Sequence, residues 1–145
     1  MMTKGIFTLF CAISIALGAN GVHRDGAKGI VIDTRTGLVW QDNAAAASTT
    51  ATWADAITTC ENLVFGGYSD WRLPNINELK SIRDMSRSSS AIDTAFVNTV
   101  TGNYWSSTSY AAATTNAWLV DGFYDGGVNY NGKGNSYYVR CVRGN

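Results

Sequence analysis

Histidine and proline occur once each in the 145 residues, at His23 and Pro74, and neither sign of charge is in excess, with 11 Lys and Arg against 11 Asp and Glu. Each scarcity removes a class of function. Catalysis or metal binding through clustered imidazoles would have to use His23 alone. A phosphate-tracking nucleic-acid binder, or a protein drawn to anionic lipid by charge, needs a gathered basic surplus that this composition does not supply. Cysteine is also sparse, at three. Glycine and the large aromatics are plentiful: 15 Gly, 5 Trp, 7 Tyr and 5 Phe in a chain of one-domain length, too aromatic for a disordered segment.

Residues 1–19 place one cation, Lys4, before an apolar run from Ile6 to Leu17 and then small residues. This pattern predicts a secretory signal peptide cut after Gly18 or Ala19, because the run is too short for the roughly 20 residues of a stable span. An uncleaved anchor is the alternative. Thr-Leu-Phe ahead of Cys11 lacks the small residue expected before a lipidated cysteine. Cleavage would leave 10 cations against 11 anions and two cysteines, Cys60 and Cys141, in a secreted, periplasmic or cell-surface chain. In an oxidising compartment these two are expected to pair, with two unpaired buried thiols as the alternative.

Residues 20–27 lack periodicity and read as a loose leader holding a solvated His23; the folded domain is expected over 28–145. Two β-prone runs between Lys28 and Trp40, divided by Asp33-Thr-Arg-Thr-Gly37, predict a hairpin. A capping box at Thr52 and Asp55 opens a first helix with Trp53, Ile57, Cys60 and Val64 on one face, stopped by Gly66-Gly67. After Pro74 a second helix opens at Asn75, with Glu78 as reciprocal cap and Ile76, Leu79, Ile82 and Met85 inward. Arg72 is expected to pair with Glu78 or Asp70. Strand-like runs follow at Tyr104–Tyr110, Ala117–Asp121, Val128–Tyr130 and Tyr137–Arg143. The expected class is α+β, two helices on a small antiparallel sheet, with a disulfide from the first helix to the last strand. Trp40, Trp53, Trp71, Trp105 and Trp118 are expected chiefly as core.

An ordered set of motifs carries a resemblance. Gly37-Leu-Val-Trp40, Trp53-Ala-Asp-Ala-Ile with Cys60, Asp70-Trp-Arg-Leu-Pro74 with Asn77-Glu-Leu79, Tyr104-Trp-Ser-Ser-Thr108, Ala117-Trp118 and Tyr138-Val-Arg-Cys-Val-Arg143 together resemble the domain at the carboxy end of Lcl, a bacterial collagen-like adhesin. The resemblance implies a C-type-lectin-like fold, secreted or surface placement, and adhesion that in the adhesin involves sulfated glycosaminoglycans; it implies no enzymatic activity. The chain has no collagen-like Gly-X-Y triplets. Binding a polyanion would require Lys133, Arg140 and Arg143 to gather on the surface.

The richest binding segment is Asp121 to Tyr137, whose Tyr, Asn, Gly, Ser and Asp are the residue types of adaptable recognition loops. The expected ligand is a glycan or another surface macromolecule, met by residues 104–137. Trp105, Tyr124 and Tyr130 would offer stacking faces, Asp121, Asp125, Asn129 and Asn131 directional hydrogen bonds, and Lys133 an anionic-group contact. No cofactor is expected, with a loop calcium on Asp121, Asp125, Asn129 and Asn131 as a lesser alternative. The glutamate-proline-asparagine loop of calcium-dependent lectins is absent. Other readings are a structural or protein-contact module of the envelope, possible oligomerisation, and a retroelement-diversified binder, since the segment resembles the variable region of such proteins. An enzyme of formylglycine-generating architecture ranks last, because both remaining cysteines are expected in a disulfide.

Overall fold

In the computed structural model, which describes residues 21–144, the hairpin forms from β2 (Ile30–Asp33) and β3 (Leu38–Gln41). Gly37 closes its turn at φ 73°, and its N–H donates to Asp33 O. The signal-peptide reading of 1–19 lies outside the described residues. The loose leader is corrected: Val22–Asp25 is a strand, β1, antiparallel to β2, with Val22 buried and His23 opposite Ile32. His23 is half-buried rather than solvated, and its Nδ1 is enclosed without a hydrogen-bond partner. Four residues are too few to show a period, so pairing with β2 supplies what the local pattern could not.

A 3-10 turn at Ala44–Ala47 and the short β4 (Thr50–Ala51) lead into α1 (Trp53–Glu61). Thr52 caps α1 by accepting from Asp55 N–H, while its hydroxyl donates to the Asp55 carboxylate. Trp53, Ile57 and Cys60 face inward as their spacing predicts, but α1 stops at Glu61 and Val64 is 79 % exposed. In α2 (Ile76–Ser81) the reciprocal cap is complete: Asn75 Oδ1 accepts from Glu78 N–H, and Glu78 Oε1 accepts from Asn75 N–H. Replacing Asn75 by Ala should cost about 1 kcal/mol in a urea melt, the usual worth of an N-cap. Leu79 and Ile82 are buried, whereas Met85 lies past the helix end and is exposed.

The remaining strands are β5 (Tyr104–Ser109), β6 (Asn116–Asp121), β7 (Gly127–Gly132), β8 (Tyr137–Tyr138) and β9 (Val142–Arg143). The expected single sheet is two sheets, ordered β1-β2-β3-β9 and β4-β8-β5-β6-β7, and β8 joins β5 in parallel. The run Tyr137–Arg143, expected as one strand, leaves the second sheet after Tyr138 and enters the first at Val142. The two sheets contribute to two cores. Val31, Leu38 and Trp40 meet Tyr104, Val120, Leu79 and Ile82 in one core; Ile30 and Val39 meet Trp105, Leu119, Trp71 and Cys60 in the other.

Cys60 and Cys141 form the expected disulfide, joining α1 to the residue before β9. The pairs around Arg72 also resolve: its guanidinium takes Glu78 in a fork (2.8 and 2.6 Å), and Asp70 goes to Arg143 (2.6 and 2.9 Å). Burial would raise the Glu78 pKa, but the Arg72 and Asn75 hydrogen bonds outweigh it and hold the carboxyl below its ordinary value.

Arg140 is fully buried where the chain changes sheet. Its Nη1 donates to Gln41 O (2.8 Å) and Asp42 Oδ1 (3.2 Å), and its Nη2 to Asn98 O (2.6 Å) and Thr99 Oγ1 (2.8 Å). Asp42, also fully buried, further accepts from Arg24 Nε (2.7 Å) and from the N–H groups of Val97 and Asn98. One carboxylate thus ties β1, β3, the 97–99 segment and the sheet-crossing residue.

Candidate functional site

Alternation along β6 separates two surfaces. Ala117 and Leu119 point into the core that holds the disulfide, while Asn116 and Trp118 share the opposite face. Trp118 sits directly across from Tyr130 on β7, and Tyr110, just past β5, is held there by its N–H bond to Asn116 O (2.9 Å). The three rings form a cluster. Tyr110 and Tyr130 are stacked, with centroids 3.9 Å apart and planes 8° from parallel. Trp118 meets both edge-on, at 5.2 Å from Tyr110 and 5.6 Å from Tyr130. Tyr130 is 41 % exposed, and Tyr110 and Trp118 are half-buried. The hydroxyl contact with Tyr130 holds the Tyr110 phenol above its ordinary pKa.

This arrangement corrects two expectations. Trp118 is a surface aromatic rather than a core one, and Trp105 is the reverse: wholly buried, its Nε1 donates to Ala51 O (3.0 Å) and its ring packs edge-on against Tyr137, so it offers no stacking face. For Trp118 the sequence contains a signal, its alternation with Ala117 and Leu119 and its shared face with Asn116; Trp105 is sorted only by the register that sets it opposite Leu119.

Tyr124 projects from the loop between β6 and β7, 61 % exposed. The loop is braced beneath it: Phe123 is buried at φ 40°, its C=O accepts from Ala91 N–H, and Arg83 donates to Gly126 O. Asp121 is exposed at the end of β6. The oxygens expected to meet a ligand or calcium are largely committed. Asp125 Oδ1 accepts from Gly127 N–H, Asn129 Oδ1 from Tyr130 N–H, and Asn131 Oδ1 from Gly132 N–H and Asn135 Nδ2. Among the described residues no group of three or more His, Cys, Asp or Glu is placed to hold a metal ion.

The basic residues do not gather. Lys133 Nζ lies 3.9 Å from the centre of the Trp53 ring and donates to Ser109 Oγ (2.8 Å), a cation-π and hydrogen-bond seat rather than a free contact for an anion. Arg140 is interior. Arg143 is held by Asp70 and lies over the Tyr68 ring at 4.0 Å. Among the described residues no helix is long and apolar enough to cross a membrane. Residues 29–143 match the family model described as the Lcl C-terminal domain. No curated protein matches the chain.

Proposed function

The chain belongs to the Lcl C-terminal domain family, and from that membership we propose that it is a secreted or surface-displayed, non-catalytic adhesion domain that recognises a glycan. The observation that carries the reading is the Tyr110, Trp118 and Tyr130 cluster on the outer part of the second sheet. Aromatic rings fixed by their neighbours present flat apolar area at little entropic cost, which suits the C–H face of a sugar ring. Tyr124, exposed on the β6–β7 loop, and Asp121, exposed at the end of β6, are a further ring and a carboxylate available to sugar hydroxyls. With Lys133, Arg140 and Arg143 each committed elsewhere, stacking and hydrogen bonds rather than a cationic patch carry the proposed recognition.

The absence of catalysis in this proposal rests on chemistry already consumed. Cys60 and Cys141 are joined to each other, and the lone His23 stands on β1, in the other sheet from the aromatic cluster. On a glycan array, Trp118→Ala and Tyr130→Ala should each weaken the best hit roughly tenfold, about 1.4 kcal/mol, with the melting transition retained. Equal binding by wild type and both variants, all folded, would overturn the site. A blank array would overturn the glycan.

A further inference from the structure

The outer edge of β7 carries a feature that does not depend on the binding proposal. In an antiparallel strand, backbone groups point alternately to one side and the other. Asn116 O bonds to Tyr110 on the β5 side, so residues 117, 119 and 121 turn toward β7, and their partners 131, 129 and 127 turn back toward β6. Lys133 N–H donating to Thr115 O continues the same alternation. Val128, Tyr130 and Gly132 therefore direct their backbone groups outward, on a strand with no neighbour beyond it among the described residues.

Two of these three outward amides are covered from within the strand. Asn129 Oδ1 accepts from Tyr130 N–H at 2.8 Å, and Asn131 Oδ1 accepts from Gly132 N–H at 2.8 Å. The carbonyl of Gly132 is covered too, by Asn135 Nδ2 at 3.1 Å and Asn135 N–H at 3.0 Å. An extended chain approaching β7 would find its acceptors competing with side-chain oxygens already in place.

We propose that Asn129 and Asn131 are edge guards, whose side-chain amides cap the outward N–H groups of β7 and keep a second copy of the chain from adding to this sheet. An uncovered edge strand is a template for pairing. The Gly-Val-Asn-Tyr-Asn-Gly segment, flanked by glycine at both ends, has little bulk to prevent it. The assignment gives the two Asn residues a role in holding the surface of Tyr130 single and open, and it removes their oxygens from the ligand contacts expected of them.

The test is the oligomeric state of the full domain, by sedimentation over a hundredfold concentration range. Asn129→Ala with Asn131→Ala should shift the protein from monomer toward dimers and larger species, with added intermolecular β-sheet absorption in the infrared. Adding Val128→Pro, which removes an outward N–H and no bond to β6, should restore the monomer. Three outcomes overturn the proposal: a wild type that already associates through β7, a double-alanine variant that is folded and monomeric at every concentration, or association that Val128→Pro does not reverse. A melting curve for each variant separates association of folded protein from misfolding.

Discussion

Replacing Asp42 by Ala should remove about 3–5 kcal/mol of stability, the range for breaking a buried ion pair from one side. The side chain holds two guanidiniums and two backbone amides at once. Without it Arg140, fully buried and with its Nε already lacking a partner, keeps a charge that no carboxylate answers. Against a typical total of about 5–15 kcal/mol, that loss is a large fraction. The expected reading is a lower urea midpoint with an unchanged slope at neutral pH. Asp42→Asn, which preserves the shape and one acceptor oxygen, should recover part of it.

The same residue sets an acid limit. Burial alone would raise its pKa, but the bonds from Arg24 and Asn98 N–H and the charge of Arg140 outweigh that and leave it lowered. The folded carboxyl therefore takes its proton at a lower pH than the unfolded one. Its contribution is full above about pH 3.9, the ordinary aspartate value, and is lost as pH falls through the lowered folded value. Stability measured down to pH 2 should fall less steeply for Asp42→Asn than for the wild type; parallel curves would show that other carboxylates control acid unfolding.

Removing the disulfide, by reduction or by Cys60→Ala with Cys141→Ala, should cost a similar amount. The bond closes a loop of sequence separation 81, and the chain-entropy relation gives about 4.5 kcal/mol for that length. Alanine is the right replacement because both positions are buried and a serine hydroxyl would need a partner. Wild-type protein melted with and without reductant provides the check: midpoints that coincide would mean that packing between α1 and the sheet-crossing segment already supplies the constraint.

Features set by neighbours in sequence were legible before the fold. The Asn75 and Glu78 cap, the Gly37 turn and the stripe Trp53, Ile57, Cys60 all follow from local spacing. Arg140 was not legible. An arginine in a strand reads as solvated, and only the convergence of Gln41, Asp42, Asn98 and Thr99, from distant segments, makes burial tolerable. The site divided in the same way. Tyr124 and Tyr130 could be picked by residue type, but Tyr110 needed the register of β5 on β6 to bring it onto Tyr130, and Trp105 was misplaced because residue type does not tell which face of a strand meets a core. Asn129 and Asn131 were recognisable as hydrogen-bonding residues, whereas their partners depended on which backbone amides the sheet left unpaired.

The sheet change at residues 139–141 also dictates an order of events. Residues 137–143 pair with Thr50 and Ala51, with Tyr104, with Val39 and Trp40, and with Arg72. Several of these contacts bridge about a hundred positions, as from Arg140 to Gln41 or Cys141 to Gln41. Their loop-closure entropy must be met before any reward arrives. A ribosome still short of residue 137 therefore holds a nascent chain that can pair β1-β2-β3 and β5-β6-β7 but can complete neither sheet. Folding waits for residues 137–143, and the joining of Cys60 to Cys141, in which both thiols give up their electrons to an external oxidant, belongs among its last steps.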